Sequence, residues 1–360
     1  MEYRQIEVEK ARRFCEAVFQ SYGFSSDQAK TITDVLIRAD LFGIESHGMQ
    51  RLIRYHNEIR SGQVDVKAKP EIVHETAVSA VIDAKKSMGQ LASLKGMELA
   101  IKKAKSAGCG MVPVRNSNHY GIAGYYSLLA AKENLLGISM TNSEAIAVPT
   151  FGRLAMLGTN PIALAMPAEP VFFSYDAATT VVTRGKLEVY NKNEKPLPEQ
   201  WALGGDGRPS TNAGEVLHSI INKQGGGIAP LGGADELYGS HKGYGFGMIV
   251  ELFTAIFSGG LTANYVSVTP GLNGICHYFM ALDFGIFGDK EAIKGRLTAF
   301  LKELRESPKA EGQPRIYTHG EKEMESFARN TGGKIPINPK TLREMQDIAA
   351  KQGVPWDLGM

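Results

Sequence analysis

The amino-acid sequence predicts a mixed α/β protein in which short charged helices from both ends of the chain pack together beside a central body of alternating helices and strands. Three observations predict it. Helical apolar spacing fills roughly the first sixty residues. β-Branched runs then begin to alternate with helical segments near residue 70, and charged helical patterns return at the far end of the chain. These shifts divide the chain into a first helical part at 1–70, a central α/β domain at 71–310 and a second helical part at 311–360.

The first expected helix, Ile6 to Tyr22, has an apolar face broken by Glu and Arg. The second, Ser26 to Phe42, opens on a Ser/Asp cap and stops at Gly43, the residue that tolerates a left-handed helix end. A third runs from Ser46 to Arg60, with Ser46 placed to cap it by accepting a backbone N–H. Strands follow at Pro70 to Glu75 and Val78 to Asp83, then a helix from Gln90 to Ser106 that ends before Gly108, and a strand from Met111 to Val114. The alternation continues through helix Ile122 to Leu135, strands Gly137 to Thr141 and Phe172 to Tyr175, helices Thr179 to Tyr190 and His241 to Phe257, and strand Tyr278 to Asp283. Helices Asp289 to Leu304, Glu321 to Arg329 and Pro339 to Gln352 complete the chain. The Gly/Pro/Asn-rich stretch from about Leu203 to Ser240 is expected to form long surface connections.

A chain of 360 residues buries a sizeable core, and its 43% hydrophobic and 22% charged content is ordinary for a soluble globular protein. A net charge of +2 gives no electrostatic reason to expect nucleic acid or an anionic membrane, so the expected partners are small molecules or further copies of the chain. Apolar runs such as Gly247 to Phe257 are too short to span a bilayer and the amino terminus lacks an apolar signal core, which points to the cytoplasm. Cys15, Cys109 and Cys276 show no paired spacing, so neither a disulfide framework nor a thiolate zinc site is expected.

The run from Ser46 to Tyr55 places His47, Arg51 and Tyr55 at successive four-residue intervals. On a helix these would form one stripe carrying a proton carrier, a carboxylate binder and a phenol, fit to hold a small oxo-acid or hydroxy-acid. His47 would then lie in the first helical turn, where unpaired amides and the positive end of the dipole disfavour imidazolium. A solvated helix with scattered polar residues fits the same run. A second polar cluster, Asn116, Ser117, Asn118, His119 and Tyr120, lies between a strand end and a helix start, where α/β proteins place ligands. His119 is thus a second candidate proton carrier, with a loop-capping histidine as the plainer reading.

Thr141, Asn142 and Ser143 follow a strand, and Thr159 and Asn160 stand beside Gly158, a set suited to hydrogen-bonding an amide or phosphate and nearly as well explained by turn chemistry. In Tyr175, Asp176, Ala177, Ala178 and Thr179 a strand runs into a helix, so Asp176 is placed to orient a histidine or hold a cofactor group and the helix start offers amides to an anion. The run Ser240, His241, Lys242, Gly243, Tyr244, Gly245 invites a phosphate but matches neither the Walker pattern nor GxGxxG. With no dinucleotide fingerprint of that kind, the chain is not an ordinary Rossmann protein. No HxxxH, HExxH or GxSxG occurs either, which disfavours a catalytic metal and a common class of hydrolases.

Taken together, these runs resemble the family of malate, L-lactate, L-sulfolactate and ureidoglycolate dehydrogenases, a non-Rossmann group that also includes diketogulonate and piperideine-carboxylate reductases. The resemblance covers nearly the whole chain through SHGMQRLIRY at 46–55, NSNHYGIAGYY at 116–126, LGTNPIALAMPA at 157–168, RGK at 184–186, HKGYG at 241–245 and HGE at 319–321. It implies a helical domain built from both termini, a central domain whose mixed sheet binds NAD or NADP, and a homodimer or larger assembly. It places substrate at Ser46, His47, Arg51 and Tyr55, with His119 as the second histidine. It places the cofactor near Ser143, along Asp176, Ala177, Ala178 and Thr179, at His241 and Lys242, and near Gly320 and Glu321; Thr141, Asn142, Thr159, Asn160 and Gly243, from the polar runs above, complete the candidate cofactor set. Departures are Asp176-Ala177-Ala178-Thr179-Thr180 where the family has Asp-Met-Ala-Thr-Ser, a longer segment between Asn212 and Ser240, and Phe284 where proline is common.

The chemistry implied is reversible hydride transfer between C4 of the nicotinamide and C2 of a 2-hydroxy or 2-oxo acid, malate/oxaloacetate first. Lactate, sulfolactate, ureidoglycolate, diketogulonate and cyclic imino acids are alternatives within the family, and a metal-dependent hydrolase is the alternative outside it. Either His47 or His119 serves as proton carrier, His119 being favoured as base, with Asp176 orienting the ring and Arg51 gripping the carboxylate.

Overall fold

The computed structural model describes residues 3–359. A short strand, β1 (Arg4–Glu7), leads into helix α1 (Val8–Ser21) and pairs antiparallel with β11 (Lys334–Ile337) from the other end of the chain. Helix α2 (Ser26–Leu41) begins one residue beyond its cap: the Ser25 hydroxyl accepts the Gln28 N–H while the Gln28 side chain accepts the Ser25 N–H, a reciprocal capping box. Gly43, at φ 77°, closes it.

The expected helix from Ser46 to Arg60 is broken. Two single 3₁₀ turns, Glu45–His47 and Met49–Arg51, precede helix α3 (Leu52–Arg60). The cause is Asp40 in the last turn of α2, whose Oδ2 accepts the Met49 N–H at 2.8 Å and draws Gly48 against it. A Cβ at position 48 would lie 1.8 Å from Asp40 Oδ1, so only glycine fits there. Ser46 therefore caps no helix.

Asp40 is buried, and burial raises its pKa from 3.8 to about 8, against the Met49 N–H that lowers it. The folded-state pKa lies above the unfolded one, so this group's contribution is most favourable at low pH. Stability then falls as pH rises from about 4 to about 8, by about 1 kcal/mol per pH unit. Asp40→Asn keeps an oxygen for Met49 and removes the titration. Urea unfolding at stepped pH is expected to show a flatter stability profile for the variant over that window, and a profile parallel to wild type would reject a neutral Asp40.

The centre of the molecule is a seven-stranded sheet ordered β2 (Glu71–Glu75), β3 (Ala80–Asp83), β4 (Cys109–Ser117), β10 (Ile275–Leu282), β5 (Leu136–Thr141), β6 (Ile162–Met166) and β7 (Phe173–Ala177). Only β3 and β4 run parallel, joined by helix α4 (Gly89–Ala107); every other neighbouring pair is antiparallel. The C-terminal ends of β4, β5 and β7 and the N-terminal ends of β10 and β6 thus share one end of the sheet. The residues after Ser117, Thr141 and Ala177 all emerge there, which is how the polar runs of the sequence are gathered.

Helices α4 and α5 (Ala123–Lys132) cover one face, where Met97, Ala100 and Tyr126 pack on Val112, Val114 and Phe279. The other face carries α8 (Ser240–Glu251), which continues through one π-helical turn at Leu252–Ile256 and lays Val250 and Phe253 over Met140 and Tyr278. A separate core draws Phe14, Phe19, Leu36 and Tyr55 from the amino-terminal helices together with Ile335, Met345 and Ile348, the last two from α11 (Pro339–Gln352).

Elsewhere the structure departs from the sequence expectations. The helix expected from Thr179 begins only at Arg184 (α6, Arg184–Lys192), so Asp176 to Thr179 form a strand end and loop and offer no helix-start amides. The stretch expected to be irregular holds β8 (Ala202–Leu203) paired with β9 (Gly227–Ile228), and α7 (Ala213–Asn222) capped by Asn212. Strand β6 was not expected at all. Helices α9 (Lys290–Glu306) and α10 (Glu321–Asn330) match expectation to within a few residues.

Candidate active site

The break at Gly48 changes how the 46–55 run works. Arg51 Nε donates to the Ser46 carbonyl at 2.5 Å, so the guanidinium folds back over the turn that holds His47. Ser46 Oγ lies 2.8 Å from His47 Nδ1. His119, on the loop between β4 and α5, stacks on His47 with ring centroids 5.6 Å apart and planes 28° from parallel. Two histidines from distant parts of the chain are thereby joined beside Ser46 and Arg51.

Tyr55 is fully buried in the first turn of α3. Its hydroxyl lies 2.8 Å from His119 Nδ1, and the Gln90 side-chain amide donates to that hydroxyl at 2.9 Å. This corrects the expectation that Tyr55 faces the substrate: the phenol is enclosed and committed to His119, because α3 starts late and turns Tyr55 inward.

Both histidines are held neutral. His47 is pushed down to about 3 by burial first and then by the Arg51 and Arg54 charges. His119 is pushed well below its ordinary range by burial, then Arg54, His47 and Arg51. The direction is that expected from the sequence, but the cause is desolvation and two guanidiniums instead of a helix dipole. Arg51 feels the same crowding, its pKa lowered by burial and by Arg54. Arg54 Nε donates to Glu58 Oε1 at 2.7 Å. The site carries a positive field that a bound carboxylate would relieve.

The His119 loop is held from several sides. Gly89 lets the start of α4 press on the loop backbone; a Cβ there would lie 2.2 Å from the Asn118 carbonyl oxygen and 2.3 Å from that of His119. The Asn118 side-chain amide donates to the Lys86 and Ser87 carbonyls, and Asn273 donates to Asn118 Oδ1 at 2.7 Å. His277 on β10 lies 2.8 Å from Thr141 Oγ1 and 2.9 Å from Ser117 Oγ, and stacks on Tyr120 at 4.5 Å. Sequence reasoning missed Gln90, Asn273 and His277. Gln90 left a signal: it stands in helical register with Ser93, Met97, Ala100 and Ala104 on the buried face of α4, where an amide needs a partner.

The residues expected around a cofactor fall into three groups. In the first, Ser143 Oγ accepts the Thr159 N–H at 3.2 Å and the Thr179 N–H donates to the Thr159 carbonyl at 2.9 Å. Asn142 and Asn160 are buried with their side-chain amides donating to Glu251, and Thr141 Oγ1 is held between His277 and the Cys276 carbonyl. These three side chains are tied to protein partners, although Asn160 Oδ1 remains buried without one. In the second group, Asp176 and Gly320 line one cavity of about 260 Å³ with Arg38, Phe42, Gly124 and Tyr125. Asp176 Oδ2 accepts the Gly124 N–H at 2.7 Å. Asp176 opens to the cavity while the protein crowding its other sides raises its pKa to about 6, against the Gly124 bond that lowers it.

The hydrogen bond that Asp176 makes goes to backbone at the start of α5 and to no histidine. Ala177 ends β7 and Ala178 follows it, both half-buried. Glu321 is committed to its own turn: its carboxylate accepts the Thr318 N–H and meets Arg315 at 3.0 Å, which closes the turn into α10. In the third group His241 and Lys242 are exposed on the first turn of α8, whereas Gly243 is packing: a Cβ would lie 2.2 Å from the Leu231 carbonyl oxygen. Among the described residues no three His, Cys, Asp or Glu side chains gather as a metal would need, and no helix is long and apolar enough to cross a membrane.

The family model described as malate/L-lactate dehydrogenase matches residues 6–346. A malate dehydrogenase from Pyrococcus horikoshii is 43% identical over 354 residues, covering 98% of this chain and 96% of the relative. An L-sulfolactate dehydrogenase from Methanocaldococcus jannaschii is 36% identical over 353 residues, covering 97% of each. The crystal structure of a malate dehydrogenase from Entamoeba histolytica superposes with a TM-score of 0.94 at 34% identity, covering 99% of both chains.

Proposed function

The chain belongs to the malate/L-lactate dehydrogenase family, which makes it an oxidoreductase that moves a hydride between a nicotinamide cofactor and a CH–OH carbon, and we propose that malate and oxaloacetate are its substrate pair. The observation that carries the choice is the pairing of two neutral histidines with two guanidiniums, Arg51 and Arg54, both close enough to depress each ring. A dicarboxylate brings one anionic group for Arg51 and a second for the terminal nitrogens of Arg54, whose Nε is held by Glu58.

The residues present fit a nicotinamide cofactor. Its carboxamide carries a donor for the unpartnered Asn160 Oδ1, and the Asp176 cavity opens beside Gly124 at the same end of the sheet. Ser143, Thr159 and Thr179 with Asn160 would hold one part of it, and Asp176 with the Gly320 turn another. When bound, NAD or NADP accepts or returns the hydride.

The chain's own residues govern the proton and the acid. Arg51 holds the C1 carboxylate and Arg54 the distal one. His119 has Nδ1 engaged by Tyr55, which leaves Nε2 to take the C2 hydroxyl proton during oxidation and to return it during reduction. His47, fixed through Nδ1 by Ser46, holds the substrate oxygen from the stacked side. Oxidation breaks the O–H and C2–H bonds, placing the proton on His119 and the electron pair with the hydride acceptor. Assays with oxaloacetate, pyruvate, sulfopyruvate and a cyclic imino acid against NADH and NADPH are expected to give oxaloacetate the highest kcat/KM. A higher value for sulfopyruvate, whose sulfonate would meet Arg54 as a second carboxylate does, or for a monocarboxylate would reject malate, and no turnover of any 2-oxo acid would reject the assignment of the site.

The chain is further proposed to form a homodimer. Phe246, Ile249, Ile256 and Phe257, on α8, its π-helical turn and the residue that follows it, are 41–57% exposed along one helical face, an apolar surface of the kind obligate homodimers cover. Ile256→Glu is expected to shift sedimentation from dimer to monomer; a wild-type chain that sediments as a monomer would overturn it.

A further inference from the structure

We propose that Gln90 selects the tautomer of His119, acting through Tyr55. The inference deepens the reading of His119 as proton carrier and rests on it. Gln90 and Tyr55 are both fully buried, so among the described residues the phenol's hydrogen bonds run to His119 and Gln90 and no solvent stands between them.

A phenol has one proton to donate and lone pairs to accept with. When the Gln90 amide turns its NH₂ toward Tyr55, at 2.9 Å, Tyr55 directs its proton to His119 Nδ1. The Gly121 N–H, 3.4 Å from the same nitrogen, adds a weaker donor there. A neutral His119 then carries its proton on Nε2, the form that donates to an alcohol and cannot accept from one. In this arrangement Gln90 Oε1 is left buried without a partner.

Half a turn of the amide exchanges its nitrogen and oxygen with almost no change of shape. The oxygen then accepts the Tyr55 O–H, the Tyr55 oxygen accepts an Nδ1–H from His119, and Nε2 is bare; the Gly121 N–H gives up its 3.4 Å contact with Nδ1, and the Gln90 NH₂ takes the place where Oε1 stood. That is the form able to take the hydroxyl proton: the substrate O–H breaks, an Nε2–H forms, and Nδ1–H stays on Tyr55 throughout. Reduction runs the same steps backwards with no rearrangement of the chain from His119 to Gln90. The amide orientation thus decides whether His119 is a base or merely a donor. Gln90 is a positioning residue and touches neither substrate nor cofactor.

The test is long-range ¹H–¹⁵N correlation spectroscopy of the whole protein labelled with ¹⁵N-histidine, which distinguishes Nδ1–H from Nε2–H; His119→Asn identifies the resonances. Wild type is expected in the Nδ1–H form. Gln90→Met, whose thioether is only a weak acceptor, is expected to move His119 to the Nε2–H form and to lower kcat by roughly 100-fold or more with KM little changed. Gln90→Glu, which supplies an oxygen, is expected to keep Nδ1–H and most of kcat. Tyr55→Phe cuts the link and is expected to behave as Gln90→Met, which keeps the test open if the methionine variant does not fold. A wild-type ring in the Nε2–H form, or a tautomer unchanged in both Gln90→Met and Tyr55→Phe, would overturn the proposal. Full activity in His119→Asn would instead overturn the proton-carrier reading, and the spectra separate the two failures.

Discussion

Arg51→Lys is expected to lower kcat/KM for oxaloacetate by about 10- to 100-fold, mainly through KM, the scale of losing one charge-assisted pair of roughly 1.5–3 kcal/mol. Arg51 performs two tasks at once. Its Nε holds the Ser46 carbonyl at 2.5 Å, and the terminal nitrogens of the planar fork remain to meet a carboxylate. Lysine has a single ammonium and cannot keep both contacts. Its charge is also less secure there, because burial and Arg54 already lower the Arg51 pKa, and an ammonium under the same pressure sheds its proton far more readily. Arg54→Gln provides the comparison: with Arg54 at the distal carboxylate, it is expected to raise KM for oxaloacetate and leave KM for pyruvate nearly unchanged. Steady-state kinetics at saturating cofactor check both. A normal KM for Arg51→Lys would remove Arg51 from the carboxylate, and equal losses on both acids for Arg54→Gln would remove Arg54 from the distal group.

What was legible in the sequence follows from which forces act locally. α1, α2 and α11 were readable because an apolar face at helical spacing is written in neighbouring residues, although the cap of α2 falls on Ser25, one residue before the expected start. β1 and β11 were not, since each has only four residues and its partner lies more than 300 residues away. The break at Gly48 was invisible for a related reason: the run 46–60 has helical spacing, and the interaction that defeats it comes from Asp40 on the preceding helix. His47, Arg51 and His119 were legible as residue types that carry acid/base and carboxylate chemistry. The sequence could not show that Tyr55 turns inward or that Asn142 and Asn160 close on Glu251, because an amide or phenol reads the same whether it faces a ligand or a buried partner. Gln90 lay between these cases, a polar residue on an apolar stripe whose partner needed the third dimension.

His119→Asn is expected to lower kcat by about 10²- to 10⁴-fold in both directions while leaving cofactor binding intact, the usual scale for losing a positioned proton carrier. The pH dependence is the sharper part of this expectation, and its sign follows from the field around the ring. In the free enzyme His119 is pushed well below 6.5 by burial and by Arg54, His47 and Arg51, so its neutral, proton-accepting form dominates at neutral pH. Oxidation of malate uses that form, and kcat/KM for malate should stay level as pH falls from about 8 to about 6 as far as this group controls it. Reduction needs the imidazolium, a minor species over the same range. Its kcat/KM for oxaloacetate should therefore fall close to tenfold for each unit of rising pH. Binding changes the balance: two substrate carboxylates set against Arg51 and Arg54 cancel much of the field that disfavours imidazolium, so the pKa read from kcat lies above the one read from kcat/KM. Arg54→Gln, which deletes the leading charge acting on His119, should move the free-enzyme limb upward in pH even where it weakens substrate binding. Stopped-flow and steady-state profiles in both directions measure each quantity. A malate kcat/KM that declines below pH 7 with a midpoint near 6.5 would mean an ordinary exposed histidine carries the proton, and the stacked pair of His47 and His119 would lose its role.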